Sequence, residues 1–372
     1  MTILWVSWKD RHHPQAGGAE IVAHNIISRL LADGHAVTLL TCGYDGARAE
    51  EQAGKLRIIR VGANRYTHPL QAVLYYARRL RNTFDLLIEE VNGAAPYFSV
   101  ALERRAKKFL LYHQLARKNW LYEVPQPLSH AGYWLLAPAA TWLASRTRTP
   151  VITVSESTRR ILARFGFPLE HTHIISEGID NAPQAELTTV SKYPEPTVLS
   201  FGAMRPMKRT LDQIKAFERA KRQLPKLRLV IAGSSSGAYG QAVLQYVQRS
   251  PFAADITYLG RVSDAEKYSL MQQSHVILQT AIEEGWGLTI TEAASQGTPA
   301  VAYDVAGLRD SIRHRETGIL TKDNPTALAD GLIQLLNQPV HYHACRQAAW
   351  EWSKQITFDQ SYKDFKTIVG IA

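Results

Sequence analysis

Short apolar runs alternate with segments of helical periodicity along the whole chain. Runs typical of buried strands cover 3–7 and 37–41, and between them Val22, Ile26 and Leu30 recur at helical spacing. Further strand-like runs cover 56–61, 86–89, 109–112 and 151–154. Strands that alternate with helices are typical of a parallel sheet covered by helices, so the pattern predicts an α/β fold.

A polar stretch at 182–196 interrupts this alternation. It contains three prolines and shows no periodicity, which is typical of a linker between compact units. Beyond it the strand-like runs resume at 197–201, 227–232, 256–259, 276–278 and 299–303. The chain therefore contains two successive α/β patterns.

We predict two doubly wound, Rossmann-like domains from this pattern. The N-terminal domain covers 1–182, a linker covers 183–196 and the C-terminal domain covers 197–350. A C-terminal helix over 351–372 is expected to pack back toward the N-terminal domain. Ligands of open α/β folds bind beside the carboxyl ends of the strands, so we expect the two domains to face each other across a cleft that holds the functional site.

The composition is that of a globular protein of about two domains. The 372 residues are 45% hydrophobic and 20% charged, which excludes a long disordered region. Only two cysteines occur, Cys42 and Cys345, so neither a disulfide framework nor a zinc site is indicated. The segment 1–8 has the pattern of a first strand rather than of a signal peptide, and 131–144 is too short to span a bilayer. The sequence thus predicts a cytoplasmic protein.

The formal net charge is +10, and basic residues cluster twice in the first half of the chain. The clusters are Arg78, Arg79 and Arg81, followed by Arg104, Arg105, Lys107 and Lys108. Such clusters fit either contact with an anionic membrane, here the inner face of the cell membrane, or a solvated helix face. Neither an aromatic platform nor a recognition helix accompanies them, so a nucleic-acid partner is not expected.

The apolar segment 131–144 also has two interpretations. It contains Trp134 and Trp142, so it is either a buried core helix or a docking surface for lipid-linked acceptors. The apolar periodicity alone favours the core helix.

The stretch 284–292, with the sequence Glu-Gly-Trp-Gly-Leu-Thr-Ile-Thr-Glu, directly follows a strand-like run. A helix that begins near Gly287 would direct free N–H groups and its positive dipole end at an anion. Glu284 and Glu292 could accept hydrogen bonds from sugar hydroxyls on either side of a bound phosphate. The same sequence pattern also occurs where two solvated glutamates flank a glycine-rich turn that binds nothing.

Motifs spread over almost the whole chain resemble those of one known family. The two glutamates of 284–292 enclose the pattern E-G-x-G-L, and 297–299 follows as Gly-Thr-Pro. The other motifs are, in chain order, Gly17-Gly18-Ala19-Glu20, Val154-Ser155-Glu156, Glu177-Gly178-Ile179-Asp180, Lys208-Arg209, Leu259-Gly260-Arg261-Val262 and Thr317-Gly318. In this order and spacing they resemble the retaining glycosyltransferases of family 4, also called group 1, which have the GT-B fold.

The resemblance implies transfer of a sugar from a nucleotide diphosphate sugar, held mainly by the C-terminal domain, to a glycan or lipid-linked acceptor. Glu292 would bind the ribose hydroxyls, and Glu284 would bind hydroxyls of the donor sugar. Backbone amides at the start of the helix would hold the distal phosphate, contributed by Trp286, Gly287, Leu288 and Thr289. The loops that contain Gly233, Arg261 and Val262 would receive the nucleotide base.

The resemblance also assigns roles in the N-terminal domain. It places Gly17 and Gly18 near the diphosphate, and it places His113, which follows the strand-like run 109–112, beside the transferred sugar. Taken alone, such a histidine is more often an ordinary residue at the end of a strand.

One position departs from the family pattern. Where the family carries an arginine and a lysine that grip the diphosphate, this chain has Ala203 and Lys208. We expect Arg205 to take the place of the missing arginine, although a surface arginine beside a proline would look the same. Lys208 and the helix N-terminus would then stabilise the departing diphosphate, and Glu284, Lys208 and His113 are the catalytic candidates.

We therefore expect a retaining glycosyltransferase of cell-envelope or exported-polysaccharide synthesis. The sequence contains no D-x-D pair, so neither a metal nor another cofactor is expected beside the nucleotide-sugar donor. The alternatives are a nucleotide-sugar epimerase or a phosphorylase of the same fold, or a non-catalytic sugar-nucleotide-binding partner of an active transferase. Ala203 is the feature that favours the last of these.

Overall fold

The computed structural model describes residues 1–62, 64, 67–92, 96–115, 117–179 and 181–371. The chain divides into two compact units. Unit 1 comprises Met1–Gly178 and Phe358–Ala372, and unit 2 comprises Ile179–Thr357. Among the described residues, no helix combines the length and the apolar character needed to cross a membrane.

Unit 1 is built on an eight-stranded sheet of order β3-β4-β2-β1-β5-β6-β7-β8. Its strands are β1 (Thr2–Val6), β2 (Ala36–Thr41), β3 (Glu50–Ala53), β4 (Leu56–Arg60), β5 (Leu86–Asn92), β6 (Lys107–Gln114), β7 (Val151–Thr153) and β8 (Thr172–Ile174). Neighbouring strands are parallel except β3 and β4, which are antiparallel. The apolar pattern does not predict β3, because its residues Glu-Glu-Gln-Ala are polar and mostly exposed.

Helices cover both faces of this sheet. They are α1 (Gly18–Ala32), α2 (His68–Tyr75), α3 (Ser99–Leu102), α4 (Asn119–Glu123), α5 (Leu128–Ala131), α6 (Ala137–Ser145), α7 (Glu156–Ala163) and α15 (Phe358–Val369), with π-helical turns at Tyr76–Leu80 and Gly132–Leu136. Successive side chains of a strand point to opposite faces. Leu4 of β1 shares a core with Ala72 of α2 and Ala144 of α6. The adjacent Trp5 packs instead on Phe365 of α15, with ring centroids 5.9 Å apart.

Unit 2 is built on a six-stranded parallel sheet of order β11-β10-β9-β12-β13-β14. Its strands are β9 (Thr197–Phe201), β10 (Arg228–Ala232), β11 (Ile256–Tyr258), β12 (Val276–Gln279), β13 (Ala300–Tyr303) and β14 (Gly318–Thr321). Its helices are α8 (Thr210–Lys221), α9 (Ala238–Arg249), α10 (Asp264–Gln273), α11 (Leu288–Ser295), α12 (Leu308–Ser311), α13 (Pro325–Leu336) and α14 (Pro339–Ser353). Both units are thus α/β domains on parallel sheets, and the predicted fold class is confirmed.

The segment predicted as a linker, 183–196, belongs to unit 2. Within it the Lys192 ammonium donates to the carbonyl oxygens of Ser274 (2.7 Å) and Gly297 (2.8 Å). Burial lowers the pKa of this amine, and the carbonyl oxygens take the place of water around it. These bonds attach the polar stretch to unit 2, which therefore begins earlier than predicted, at Ile179.

The segment predicted as one C-terminal helix, 351–372, is divided between the two units. Its first residues complete α14, which ends at Ser353 in unit 2. Its remainder forms α15, which belongs to unit 1 and packs on α1. Tyr362 of α15 donates a hydrogen bond to Asp33 at the end of α1 (2.8 Å).

Candidate functional site

Lys208 and Glu284 form an ion pair at the carboxyl edge of the unit 2 sheet. Lys208 ends a 3₁₀ turn (Pro206–Lys208) after β9, and Glu284 lies in the loop after β12. Because β9 and β12 are parallel neighbours, the segments that follow them meet at the same edge. The Lys208 Nζ donates to Glu284 Oε1, and the two side chains are 27% and 16% exposed. A cation and a carboxylate are therefore both accessible where α/β sheets bind ligands.

Main-chain contacts fix the position of this pair. The Thr280 hydroxyl, after β12, donates to the carbonyl oxygen of Lys208 (2.7 Å). Gly307 lies so close to the Glu284 backbone that a Cβ atom on Gly307 would be 2.2 Å from the Glu284 carbonyl oxygen. The φ of Gly307 is +83°, a conformation that favours glycine. Both ends of the ion pair are thus held by backbone that admits little adjustment.

The loop after β12 ends at Gly287, which precedes the first residue of α11. Gly287 has a φ of +96°, and its carbonyl oxygen accepts from the Ile290 N–H (2.9 Å). The buried Trp286 donates from Nε1 to Thr291 (2.9 Å), which anchors the indole against the first turn. The first amides of a helix have no partner inside the helix and carry the positive end of its dipole. The residues predicted to bind phosphate thus stand at such an amide cluster, next in sequence to Glu284.

Glu292 lies on α11 and pairs with Lys267 of α10, with Oε1 and Nζ 2.9 Å apart. Both side chains are almost buried, at 10% and 11% exposed. Burial lowers the pKa of Lys267, but the Glu292 carboxylate outweighs this and raises it above its ordinary value. The sequence predicts Glu292 as a binding residue but gives no indication of Lys267.

Gly233 marks a close approach of the segments that follow β9, β10 and β11. Its N–H donates to the carbonyl oxygen of Gly260 (2.7 Å), and a Cβ atom on it would lie 1.9 Å from the carbonyl oxygen of Gly202. The predicted base-binding segments around Gly233 and Arg261 are therefore neighbours. Arg261 is exposed, and Val262 packs partly on the core.

Arg205 and Ala203, the positions that depart from the family pattern, are both exposed. Between them the buried Met204 fixes the loop, and its N–H donates to the Ser234 carbonyl oxygen (2.8 Å). The carbonyl oxygen of Arg205 accepts from the Lys208 N–H (2.9 Å), so the arginine begins the turn that Lys208 ends. Replacement of the family arginine by Arg205 stays a prediction.

At the N-terminus of α1 in unit 1, the Glu20 carboxylate accepts a hydrogen bond from the backbone. Glu20 folds back so that its Oε2 accepts from the N–H of Gly17 (2.6 Å). Its Oε1 lies 3.4 Å from Nζ of Lys9, and both side chains are buried. A negative charge is expected near Gly17 and Gly18 from the bound diphosphate, and the Glu20 carboxylate supplies one there from the protein itself.

His113 is buried between two carboxylates of unit 1. Its Nδ1 lies 3.1 Å from Glu177 Oε1, and its Nε2 lies 3.3 Å from Glu90 Oε1. Trp5 donates from its indole nitrogen to the other oxygen of Glu90 (2.7 Å). Burial alone lowers the pKa of His113, but the two carboxylates outweigh it and raise the pKa to about 10. The histidine expected beside the sugar is therefore an enclosed imidazolium, only 3% exposed.

Sequence reasoning missed the partners of the predicted residues, namely Lys267, Glu90 and Trp5. None lies in a glycine-rich or otherwise recognisable local motif. The parallel strand order is the signal that could have indicated Glu90, because β5 and β6 are neighbours and Glu90 is paired in register with Leu111. Among the described residues, no group of three or more His, Cys, Asp or Glu side chains could hold a metal ion.

Solved structures of similar architecture identify the class of fold. Sucrose-phosphate synthase from Thermosynechococcus elongatus superposes with a TM-score of 0.77 at 19% identity and covers 99% of this chain and 98% of that one. Anabaena HepE, solved in complex with UDP-glucose, gives a TM-score of 0.72 at 18% identity and covers 100% of both chains. The two parallel-sheet units thus have the GT-B fold.

Sequence comparison identifies the family. Residues 16–182 match the model described as Glycosyltransferase Family 4, and residues 188–352 match the model described as Glycosyl transferases group 1. The chain belongs to the family 4, or group 1, glycosyltransferases, as its motifs predict.

A curated relative shows how far the likeness extends. Phosphatidyl-myo-inositol mannosyltransferase of Mycobacterium tuberculosis is 30% identical over 211 residues, which are 53% of this chain and 54% of the relative. The chain spans about half the length of this relative and of D-inositol 3-phosphate glycosyltransferase from Jonesia denitrificans.

Proposed function

We propose that this protein transfers a sugar from a nucleotide diphosphate sugar to a glycan or lipid-linked acceptor with retention of the anomeric configuration. The Lys208–Glu284 ion pair beside the N-terminus of α11 is the observation that carries the proposal. Family membership supports the transferase class, and the UDP-glucose bound to Anabaena HepE makes UDP-sugars the first donors to test.

Unit 2 is proposed to bind the donor. The Glu292 carboxylate accepts hydrogen bonds from the ribose hydroxyls, and its ion pair with Lys267 orients it in a nearly buried position. Glu284 accepts from hydroxyls of the donor sugar, and the ion pair with Lys208 orients it for that contact.

Bond breaking is proposed to depend on Lys208 and the amides of α11. As the bond from the anomeric carbon to the phosphate oxygen breaks, negative charge grows on the diphosphate and positive charge on the sugar. Preorganised donors that point at the growing charge lower the barrier most. Lys208 and the N–H groups that follow Gly287 supply such donors from the protein alone, which is why we propose a metal-independent reaction.

Retention is proposed to arise by departure and attack on the same face of the sugar. The leaving phosphate oxygen takes the proton of the acceptor hydroxyl as that hydroxyl oxygen bonds to the anomeric carbon. No protein carboxylate becomes covalently attached in this scheme.

His113 is proposed to act as a positioning residue rather than as a contact to the sugar. Its ring is enclosed by Glu90 and Glu177, so its charge balances two buried carboxylates at the carboxyl edge of the unit 1 sheet. The synthesis of cell-envelope or exported polysaccharide is the proposed process.

Ala203 favours a second candidate function, a sugar-nucleotide-binding partner that does not itself catalyse transfer. The absence of the family arginine at this position removes one cation from the diphosphate site. Such a protein would bind nucleotide diphosphates without releasing them from their sugars.

Slow hydrolysis of the donor separates these candidates without knowledge of the acceptor. The protein is incubated with UDP-glucose, UDP-galactose or GDP-mannose in EDTA, and proton NMR follows the free sugar as it forms. Retention predicts that the α anomer appears first from each of these α-linked donors. Early appearance of the β anomer would contradict retention, and binding of a donor without release of nucleotide would favour the non-catalytic partner.

A further inference from the structure

The helical segment 128–145 of unit 1 has the opposite polarity to an ordinary surface helix, because its large apolar side chains face outward. It consists of α5, a π-helical turn and α6 in direct succession. Large apolar side chains on it are half or more exposed, namely Leu128, Trp134, Leu135, Leu136, Trp142 and Leu143. Small or hydroxyl-bearing residues face the core instead, among them Ser129, Thr141 and Ala144. A helix that faces only water places its apolar residues inward, so this surface is built for a less polar environment.

The exposed apolar residues form a stripe. Leu128, Leu135 and Trp142 follow one another at intervals of seven positions, which returns to the same side of a helix. Gly132 lets the segment lie directly on the Trp120 ring, which any Cβ atom at this position would penetrate. The orientation of the stripe is therefore fixed by packing on its inner side.

Arginines stack on the exposed tryptophans. The Arg117 guanidinium lies 5.9 Å from the ring centre of Trp134, and that of Arg146 lies 4.6 Å from the ring centre of Trp142. Tryptophan and arginine, each with an apolar body and a polar end, are the residues that suit the boundary between lipid headgroups and acyl chains.

A second helix of unit 1 repeats the arrangement. Leu70 and Leu74 of α2 are exposed, and Arg78 and Arg79 follow them on the π-helical turn. Inward from this helix, Ala72, Tyr76 and Leu80 enter the same core layer that receives Ala144 of α6. Both helices thus cover the same side of the sheet. We call the exposed side chains of these two segments, 67–81 and 117–148, the outer helical face.

The outer helical face is positively charged. Segment 67–81 has three arginines and no acidic residue, and segment 117–148 has four Lys or Arg residues and only Glu123 as an acid. A second copy of the chain is a poor occupant, because a symmetric contact would bring these like charges together. The charge and the apolar stripe together match a surface that is negative outside and apolar beneath.

We propose that the outer helical face docks unit 1 on an anionic lipid bilayer. Trp134, Leu135 and Trp142 enter the boundary between headgroups and acyl chains, and Arg78, Arg79, Arg117 and Arg146 pair with lipid phosphates. The inference concerns unit 1 alone and does not depend on the proposed sugar transfer.

Co-sedimentation with vesicles of stated composition tests the proposal on the full chain. Vesicles of phosphatidylcholine alone are compared with vesicles that also contain phosphatidylglycerol, at low and at high salt. We expect the protein to sediment with the phosphatidylglycerol vesicles at low salt and at least about tenfold less with the other vesicles or at high salt.

Two variants separate the apolar and the charged contributions. Leu135→Ser with Trp142→Ser lowers binding at least about tenfold, because two exposed apolar side chains no longer leave water on docking. Arg78→Gln with Arg79→Gln lowers binding to the anionic vesicles by about the same factor and weakens its salt dependence. Val340→Ser, a change of an exposed apolar residue of α14 in unit 2, is the matched control and leaves binding unchanged.

Sedimentation velocity without vesicles supplies the opposing outcomes. The proposal is overturned if the protein does not bind phosphatidylglycerol vesicles. It is also overturned if the double variant Leu135→Ser with Trp142→Ser binds them as well as the wild type does. A self-associating protein that this double variant makes monomeric, and that does not bind vesicles, would assign the face to a second copy instead. Because all the changed side chains are exposed, an unchanged unfolding transition shows that lost binding does not come from misfolding.

Discussion

Lys208 and Glu284 are 76 positions apart in the sequence, yet they form an ion pair at the carboxyl edge of one sheet. The parallel pairing of β9 with β12 brings them together, and the Thr280 hydroxyl ties the two loops. In the proposed reaction this pair divides two tasks: Glu284 orients the sugar and Lys208 stabilises the departing diphosphate.

Lys208→Ala is expected to lower the turnover of donor hydrolysis about a hundred- to a thousandfold, the usual effect of losing one preorganised donor to a developing charge. Steady-state kinetics with saturating donor measures it. Lys215→Ala, a change of an exposed lysine on α8, serves as the control and retains turnover. Unchanged turnover in Lys208→Ala would remove this lysine from the mechanism.

Glu292→Gln is expected to weaken binding of the nucleoside diphosphate about tenfold or more, because hydrogen bonds to a charged acceptor contribute ~1.5–3 kcal/mol. Isothermal titration with UDP and GDP measures the affinity. Glu351→Gln, an exposed change on α14, leaves affinity unchanged. An affinity unaffected by Glu292→Gln would show that the ribose is held elsewhere.

Gly307→Ala is expected to displace the Glu284 backbone and to lower activity, because the added Cβ would lie 2.2 Å from the Glu284 carbonyl oxygen. Gly237→Ala is the matched control, since Gly237 has a similar φ of +87° but no neighbouring atom within 4 Å of the added Cβ. Both variants incur the backbone strain, so a loss of activity confined to Gly307→Ala isolates the clash. Equal activity of the two variants would contradict the assigned role of Glu284.

His113→Gln is expected to destabilise the protein by about 3–5 kcal/mol, because it leaves buried carboxylates without their cation. The folded pKa of about 10 lies above the unfolded value near 6.5, so the stabilisation by His113 is complete below pH 6.5. It is lost as the pH rises toward 10, and the difference in unfolding free energy between wild type and variant should shrink over that range.

Urea unfolding at a series of pH values measures this difference. His171→Gln, a change of an exposed histidine of unit 1, should show no such trend. A difference that grew with rising pH would mean that His113 is neutral in the folded protein.

The sequence predicted the strands that carry the two sheets well, because parallel strands buried on both faces are short continuous apolar runs. It missed three strands at sheet edges, the polar β3 and the short β8 and β14. It placed the domain boundary in 183–196 because prolines and polar residues look the same in a linker and in a segment bound to a surface. The hydrogen bonds from Lys192 to main-chain carbonyl oxygens, which attach that segment to unit 2, cannot be recognised from composition.

Within the site, local motifs predicted the residues that share one loop or one helix, such as Glu284, Gly287 and Glu292. They could not predict Lys267 or Glu90, because the first pairing depends on which helices are neighbours and the second on which strands are. For the segment 131–144, the sequence predicted the helical periodicity but not which side of the helix is buried. Its apolar periodicity favoured a core helix, whereas its large apolar residues are exposed and Gly132 packs on Trp120 at its inner side.

Thermal unfolding with UDP, GDP and ADP, each with and without EDTA, tests the central claim most directly. A ligand present at 100 times its Kd adds about 2.7 kcal/mol, which raises the midpoint by several degrees. The account predicts that one of these diphosphates stabilises the protein equally with and without EDTA, and that Glu292→Gln reduces this shift. Stabilisation by none of them, or only by a diphosphate with a divalent metal, would contradict a metal-independent nucleotide-sugar site in unit 2.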